Sequence, residues 1–181
     1  MSNVFVLCTG RCGSTTFVRA CGHMQNYTTA HESRCHLIGH ERFAYPPDHI
    51  EVDNRLVWFL GRIERTFGDR ARYVHLVRDP EATARSYAKR ADRGIIMAYR
   101  TEILMRALRR NAKATTMDFC RDYVETVTEN ILAFLHDKSA VMTVRLEEAE
   151  ADFARFWGWI GAIGDVEAAV AEWRIRHNAS A

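Results

Sequence analysis

Apolar residues fall along this chain in short unbroken blocks that alternate with stripes at helical spacing. Residues 4–8 (Val-Phe-Val-Leu-Cys) are continuously apolar and partly β-branched, the pattern of a strand buried on both faces. A helix is expected over about 14–23, then a long connection through Tyr45, Pro46 and Pro47, and a second helix over about 53–67. Residues 72–77 repeat the buried-strand pattern, and Pro80 opens a helix running to about 90. Ile96, Leu104 and Leu108, flanked by Met97, Ile103 and Ala107, make one helical stripe; Phe119, Tyr123, Val127, Ile131 and Leu135 make another. A further strand over 140–144 precedes helical sequence over about 149–159 and 166–176. Strands alternating with helices predict an α/β fold: three layers, with a mostly parallel central sheet and helices on both faces. Such sheets bind ligands at the carboxyl ends of their strands.

Composition adds little against this picture. The 181 residues are 48% hydrophobic and 27% charged, which predicts one globular domain over 1–181. The amino terminus lacks a basic leader, and no window approaches the roughly 20 apolar residues of a membrane span, so a cytoplasmic protein is expected. Five cysteines, an odd number, agree with a reducing compartment, although Asn178-Ala179-Ser180 would accept a glycan in a secreted chain. The net charge is only +2, but residues 78–113 hold ten Lys or Arg against four Asp or Glu. That basic middle would attract a polyanionic ligand or nucleic acid. Most of it, including Arg106, Arg109 and Arg110, reads as a solvated helix face, with Arg78 the exception. No zinc-finger, RNA-binding aromatic or basic-zipper pattern occurs, so a nucleic-acid partner is not expected.

The junction of the first strand and helix carries the candidate chemistry. In Thr9-Gly-Arg-Cys-Gly-Ser-Thr-Thr16, Gly10 and Gly13 remove side chains that would keep an anion from the backbone, and Arg11 adds a full charge. Ser14, Thr15 and Thr16 add hydroxyl donors, Ser14 being also a plausible helix cap. A Walker A loop is excluded, because Ser14 stands where its lysine should be and Cys8 where its first glycine should be. A cysteine-phosphatase loop fails as well, since counting on from Cys8 reaches Ser14 instead of an arginine. Cys8, Cys12, Cys21, His23, His31, Cys35, His36 and His40 can be parsed as metal ligands. Yet no paired C-x-x-C occurs, and the metalloprotease helix motif is incomplete, so no metal site is expected.

Two motifs together resemble the sulfotransferase family. Arg11, Cys12, Gly13, Ser14 and Thr15 occupy the places of that family's 5′-phosphosulfate loop, a basic residue followed by Ser, Gly, Thr and Thr or Ser. Arg78, at the end of the second strand block, and Ser86, eight residues on, match its 3′-phosphate pair. The resemblance covers roughly residues 1–35 and 72–90 and, more loosely, 141–160. It implies the P-loop-like sulfotransferase fold and 3′-phosphoadenosine 5′-phosphosulfate (PAPS) as sulfate donor, with the 3′,5′-bisphosphate (PAP) as product and no metal required. It also implies a transferase whose acceptor is a small molecule or a carbohydrate. Arg11, Cys12, Gly13, Ser14, Thr15, Thr16, Arg78 and Ser86 would then bind the donor, and Arg11 would stabilise charge on the bridging oxygen.

An acceptor hydroxyl must lose its proton, and Glu32, 21 residues after Arg11, matches the family branch with an acidic base; His31 is the rival. Glu32 would alternatively only pair with Arg34 or Arg11. The connection 33–52, with His36, His40, Phe43 and Tyr45, is expected to wall the acceptor pocket; its aromatics and Trp157, Trp159 and Trp173 could stack on a sugar, although helical spacing is more often that of core. Cys12 departs from the usual serine, and the glycine-rich carboxyl-terminal loop of the eukaryotic cytosolic enzymes is missing, which implies a shorter clamp on the donor. A binder without transfer activity and a P-loop-like nucleotide kinase are the alternatives.

Overall fold

The structure, a computed structural model, describes residues 2–106 and 113–175. At its centre is strand β1 (Val4–Leu7), whose four side chains are fully buried. β1 hydrogen-bonds in parallel to β3 (His49–Val52) on one side and to β4 (Arg72–Val77) on the other. β2 (Thr28–His31) and β5 (Val141–Arg145) complete a five-stranded, all-parallel sheet of order β2-β3-β1-β4-β5.

Alternate residues of β1 feed two separate cores, as a strand buried on both faces requires. Phe5 and Leu7 join Tyr73, Ile63, Tyr87, Tyr123 and Val127 beneath α2 (Leu60–Thr66), α3 (Pro80–Ala88) and α5 (Thr116–Leu135). Val4, Val6 and Cys8 join Phe17, Val74, Phe153 and Phe156 beneath α1 (Ser14–Cys21), α6 (Ala149–Ile160) and α7 (Val166–Ala171). Helices therefore cover both faces, as the alternation predicts. All five apolar positions of the stripe from Phe119 to Leu135 are buried, and α5 starts at a full capping box between Thr115 and Asp118.

Several elements differ from the sequence reading, each for an identifiable reason. Residues 53–67 are not one helix. Asp53 caps a 3-10 turn over Asn54–Trp58, Phe59 leaves helical geometry at φ −129°, and α2 begins only after it. The stripe starting at Ile96 is a short helix α4 (Gly94–Ala98) continued by a π-helical turn (Tyr99–Ile103); Ala107, Leu108, Arg109 and Arg110 lie outside the described residues. The last helix stops at Ala171 and passes into a 3-10 turn at Glu172–Arg174, while Arg176 and the Asn178 triplet are outside the described residues.

The largest difference is at 28–52, read as a connection but containing β2 and β3. β2 is a short edge strand of Thr-Thr-Ala-His, without an apolar run to betray it. β3 alternates His49, Ile50, Glu51 and Val52, and its two polar residues are buried rather than solvated. Glu51 accepts hydrogen bonds from the Ser33 amide (2.8 Å) and hydroxyl (2.6 Å), and its Oε2 lies 3.0 Å from Nε2 of His49. His49 Nδ1 lies 2.8 Å from the Thr28 hydroxyl. This polar chain replaces the hydration that burial removes.

The chain leaves β1 toward α1 and β2, and leaves β4 toward α3 and β5. The strand order reverses between β1 and β4, which makes their carboxyl ends the crevice of the sheet.

Candidate functional site

The loop after β1 is bent into a cradle by its backbone. Gly10 (φ 83°), Arg11 (φ 61°) and Gly13 (φ 92°) are all left-handed. Glycine carries this at little cost at positions 10 and 13, whereas Arg11 holds a conformation that disfavours a side chain. A Cβ on Gly10 would stand 2.3 Å from the Tyr87 hydroxyl and 2.8 Å from Nδ2 of Asn54; one on Gly13 would stand 2.8 Å from Cδ1 of Leu146. The bend is held from below, where the Thr9 carbonyl accepts from both Tyr87 (2.6 Å) and Tyr123 (3.1 Å).

Gly13, rather than Ser14, is the residue before α1, and no side chain caps that helix. The helix therefore presents its first amides to the cradle without a side-chain cap, the arrangement that suits an anion. Ser14 and Thr15 are half-buried and Thr16 is buried; all three line the cavity in front of the loop. Cys12 turns the other way. Its side chain is fully buried in the core beneath, beside Cys8, whose thiol is pushed up by hydrogen bonding to Cys12 and by burial. Of Cys12, only the backbone belongs to the cradle.

Arg11 and Arg78 converge on this loop from two strand ends. Arg11 Nε donates to Ser86 Oγ at 3.1 Å, and Arg78 Nη1 donates to the Arg11 carbonyl at 3.1 Å. The two sequence motifs thus form one cluster, with Ser86 reaching the site through Arg11. Burial lowers the Arg11 pKa, and the charges of Arg90 and Arg78 lower it further. Such crowded cations favour an anion among them.

The cavity beside the loop measures about 410 Å³ and is also lined by His31, Glu32, Asn54 and Tyr87. His31 Nε2 lies 3.2 Å from the Ser14 hydroxyl. Glu32, left-handed at φ 50°, pairs with Arg55 at 2.6 Å, not with Arg34 or Arg11. Burial lowers the Arg55 pKa, but Glu32 more than offsets this and the net shift is upward. The turn carrying Glu32 is anchored on both sides. Its amide donates to the Val52 carbonyl at 3.0 Å, and the following Ser33 is held by Glu51. Asn54 and Arg55 are held in turn by Asp53, which accepts from the Arg55 amide and forms a buried ion pair with Arg42.

Some expectations are corrected here. None of residues 33–52 lines the cavity: Phe43 and Tyr45 are buried in the core, while His36 and His40 are exposed away from it. The wall opposite His31 is apolar and comes instead from Leu146, Trp173 and Ile175. Trp173 packs edge-on against Phe17 and tilted against Phe153, and its buried indole Nε1 has no hydrogen-bond partner among the described residues. Asn54, Arg55, Tyr87 and Leu146 belong to no motif that the sequence displays. Only Tyr87 had a local signal, being next to Ser86. Among the described residues, no three His, Cys, Asp or Glu side chains gather into a metal-binding group, and no helix is long and apolar enough to cross a membrane.

The fold has a counterpart among solved structures. The chain superposes on a sulfotransferase domain from the curacin biosynthetic pathway with a TM-score of 0.65, over 97% of this chain and 78% of that one. Sequence identity is 12%, so the likeness is one of fold. No family model and no curated protein matches the sequence.

Proposed function

We propose that this protein is a sulfotransferase that moves a sulfuryl group from PAPS to an acceptor hydroxyl or amine. One observation carries the reading. The Arg11 loop, with its left-handed cradle and a helix start that no side chain caps, lies in hydrogen-bond contact with both Arg78 and Ser86 at the switch point of the sheet. That placement gathers two cations in a single crevice for a ligand that carries two anionic groups. The sulfotransferase-like fold supports the same reading.

The residues present fit such a donor. Gly10 and Gly13 leave space that a Cβ would fill, and burial together with the charges of Arg90 and Arg78 lowers the Arg11 pKa. The loop amides with Ser14, Thr15 and Thr16 would hold the 5′-phosphosulfate, and Arg78 with Ser86 the 3′-phosphate. Leu146 and Trp173 form an apolar wall suited to a purine. When bound, the donor supplies a sulfuryl group that is released from its bridging oxygen and bonded to the acceptor. Arg11 stabilises the negative charge left on that oxygen, acting by hydrogen bonding because a guanidinium is a poor proton donor. Glu32 takes the acceptor proton, with its carboxylate aimed by Arg55. His31 orients the Ser14 hydroxyl. No step requires a metal.

The test is transfer of labelled sulfate from PAPS to a panel of hydroxyl acceptors. Arg11→Ala should lower kcat by about 10²–10³-fold. Glu32→Gln should lower it by a similar factor while leaving PAP affinity unchanged. Full transfer by Glu32→Gln with loss in His31→Ala would reassign the base. Binding without transfer to any acceptor would leave an anion-binding module.

A further inference from the structure

A second cavity, of about 330 Å³, lies on the other side of Arg78, between the carboxyl ends of β4 and β5 and the face of α5. Its walls are largely apolar, from Leu76, Val77, Pro80 and Val124, and Thr9 and Thr128 add hydroxyls. One residue does not belong in such a lining. His75 is 6% exposed, projects from β4 into this space, and has no hydrogen-bond partner among the described residues. A buried polar side chain is ordinarily satisfied, so an unpartnered imidazole facing a cavity marks a place for a ligand group.

The chemistry of that group follows from the lining. Burial alone pushes the His75 pKa down to about 4, so its ring is neutral at ordinary pH. A neutral imidazole offers one donor and one acceptor, the complement of a hydroxyl. Thr9 and Thr128 already donate to the carbonyls of Gly10 and Val124, which leaves their oxygens as acceptors. Charges occur only toward the rim, where Arg78 and Arg145 balance Asp79 and Glu147, so nothing inside compensates a buried ion. A dry apolar cavity of about 150 Å³ holds a benzene ring, and this one has room for a ring with a substituent. A phenolic hydroxyl, more acidic than an alcohol, is the stronger donor to imidazole, and a rigid ring loses little entropy on binding.

We propose that this cavity is a second small-molecule site, which takes an uncharged phenol with its hydroxyl on His75 and its ring against Val77 and Val124. The site shares only Arg78, at its rim, with the donor crevice and does not depend on the proposed transfer, so it is tested without donor or turnover. p-Cresol is titrated into the full chain while the His75 ring signal is followed by ¹H–¹³C NMR. A saturable shift is expected, with toluene binding at least about tenfold more weakly for want of one hydrogen bond. Thr128→Leu keeps a helix-favouring residue in α5 and fills the cavity, and should abolish the p-cresol shift while the wild-type fold signals persist. An absent or non-saturable shift, equal binding of toluene, or an undiminished shift in Thr128→Leu would each overturn the proposal.

Discussion

The two sides of the crevice at the carboxyl ends of β1 and β4 are built on different principles. The loop side is made by backbone: left-handed residues, a helix start that no side chain caps, and an arginine at each of two strand ends. The Glu32 side is made by buried side chains. Arg42 and Asp53, 2% and 0% exposed, fix the turn that carries Arg55, and fully buried Glu51 fixes the turn that carries Glu32. Backbone cradles tolerate substitution of most side chains and fail at their glycines. Side-chain networks fail wherever one partner is lost, because the other is left buried and unpaired.

Single removals should therefore cost most on the Glu32 side. Asp53→Ala strands the Arg42 guanidinium between Phe43 and Phe59 and should destabilise the protein by about 3–5 kcal/mol in urea or thermal unfolding. Replacing both partners, as Arg42→Met with Asp53→Leu, should recover most of that loss. A double variant as unstable as the single one would mean that the pair does more than neutralise itself.

The loop side should respond through its glycines. Gly10→Ala combines a left-handed φ with a collision against the Tyr87 hydroxyl, and should cost about 1–3 kcal/mol of stability. Binding of PAP should fall with it, as calorimetry would show. Cys12→Ser is the contrasting substitution at the loop, placing a hydroxyl in the core where the thiol now packs. Although serine is the residue usual at this place in the loops that this one resembles, the substitution should bring no gain in anion affinity.

The smallest effect expected is at Glu51. Glu51→Gln keeps the shape and some of the hydrogen bonds to Ser33 and His49, and should cost about 1–2 kcal/mol. Its more telling signature is a split: kcat for transfer falls as the Glu32 turn loosens, while PAP affinity is retained. Equal loss of both would join the two sides into one unit.

The contrast also explains what the sequence shows and what it hides. Gly10, Arg11, Gly13 and the Arg78 to Ser86 spacing are legible because a backbone cradle constrains residue types at fixed local offsets. The central strands are legible because they are apolar on both faces. β3 is not, because His49 and Glu51 look like solvated residues until Thr28 and Ser33 are brought to them by the fold. Arg55 and Asp53 are hidden for the same reason: their partners, Glu32 and Arg42, lie 23 and 11 positions earlier in sequence. The apolar wall formed by Leu146 and Trp173 comes from the far end of the chain, where the spacing of Trp173 reads more readily as core than as a ligand contact.

Arg78 and the Arg11 loop are proposed to bind one nucleotide that carries two phosphate groups. Calorimetric titration of PAP into wild type and Arg78→Ala tests it most directly. Saturable one-to-one binding is expected, weakened in Arg78→Ala by about 10–100-fold, the loss of a charge-assisted contact. Absence of binding in wild type, or equal affinity in the two proteins, would contradict it.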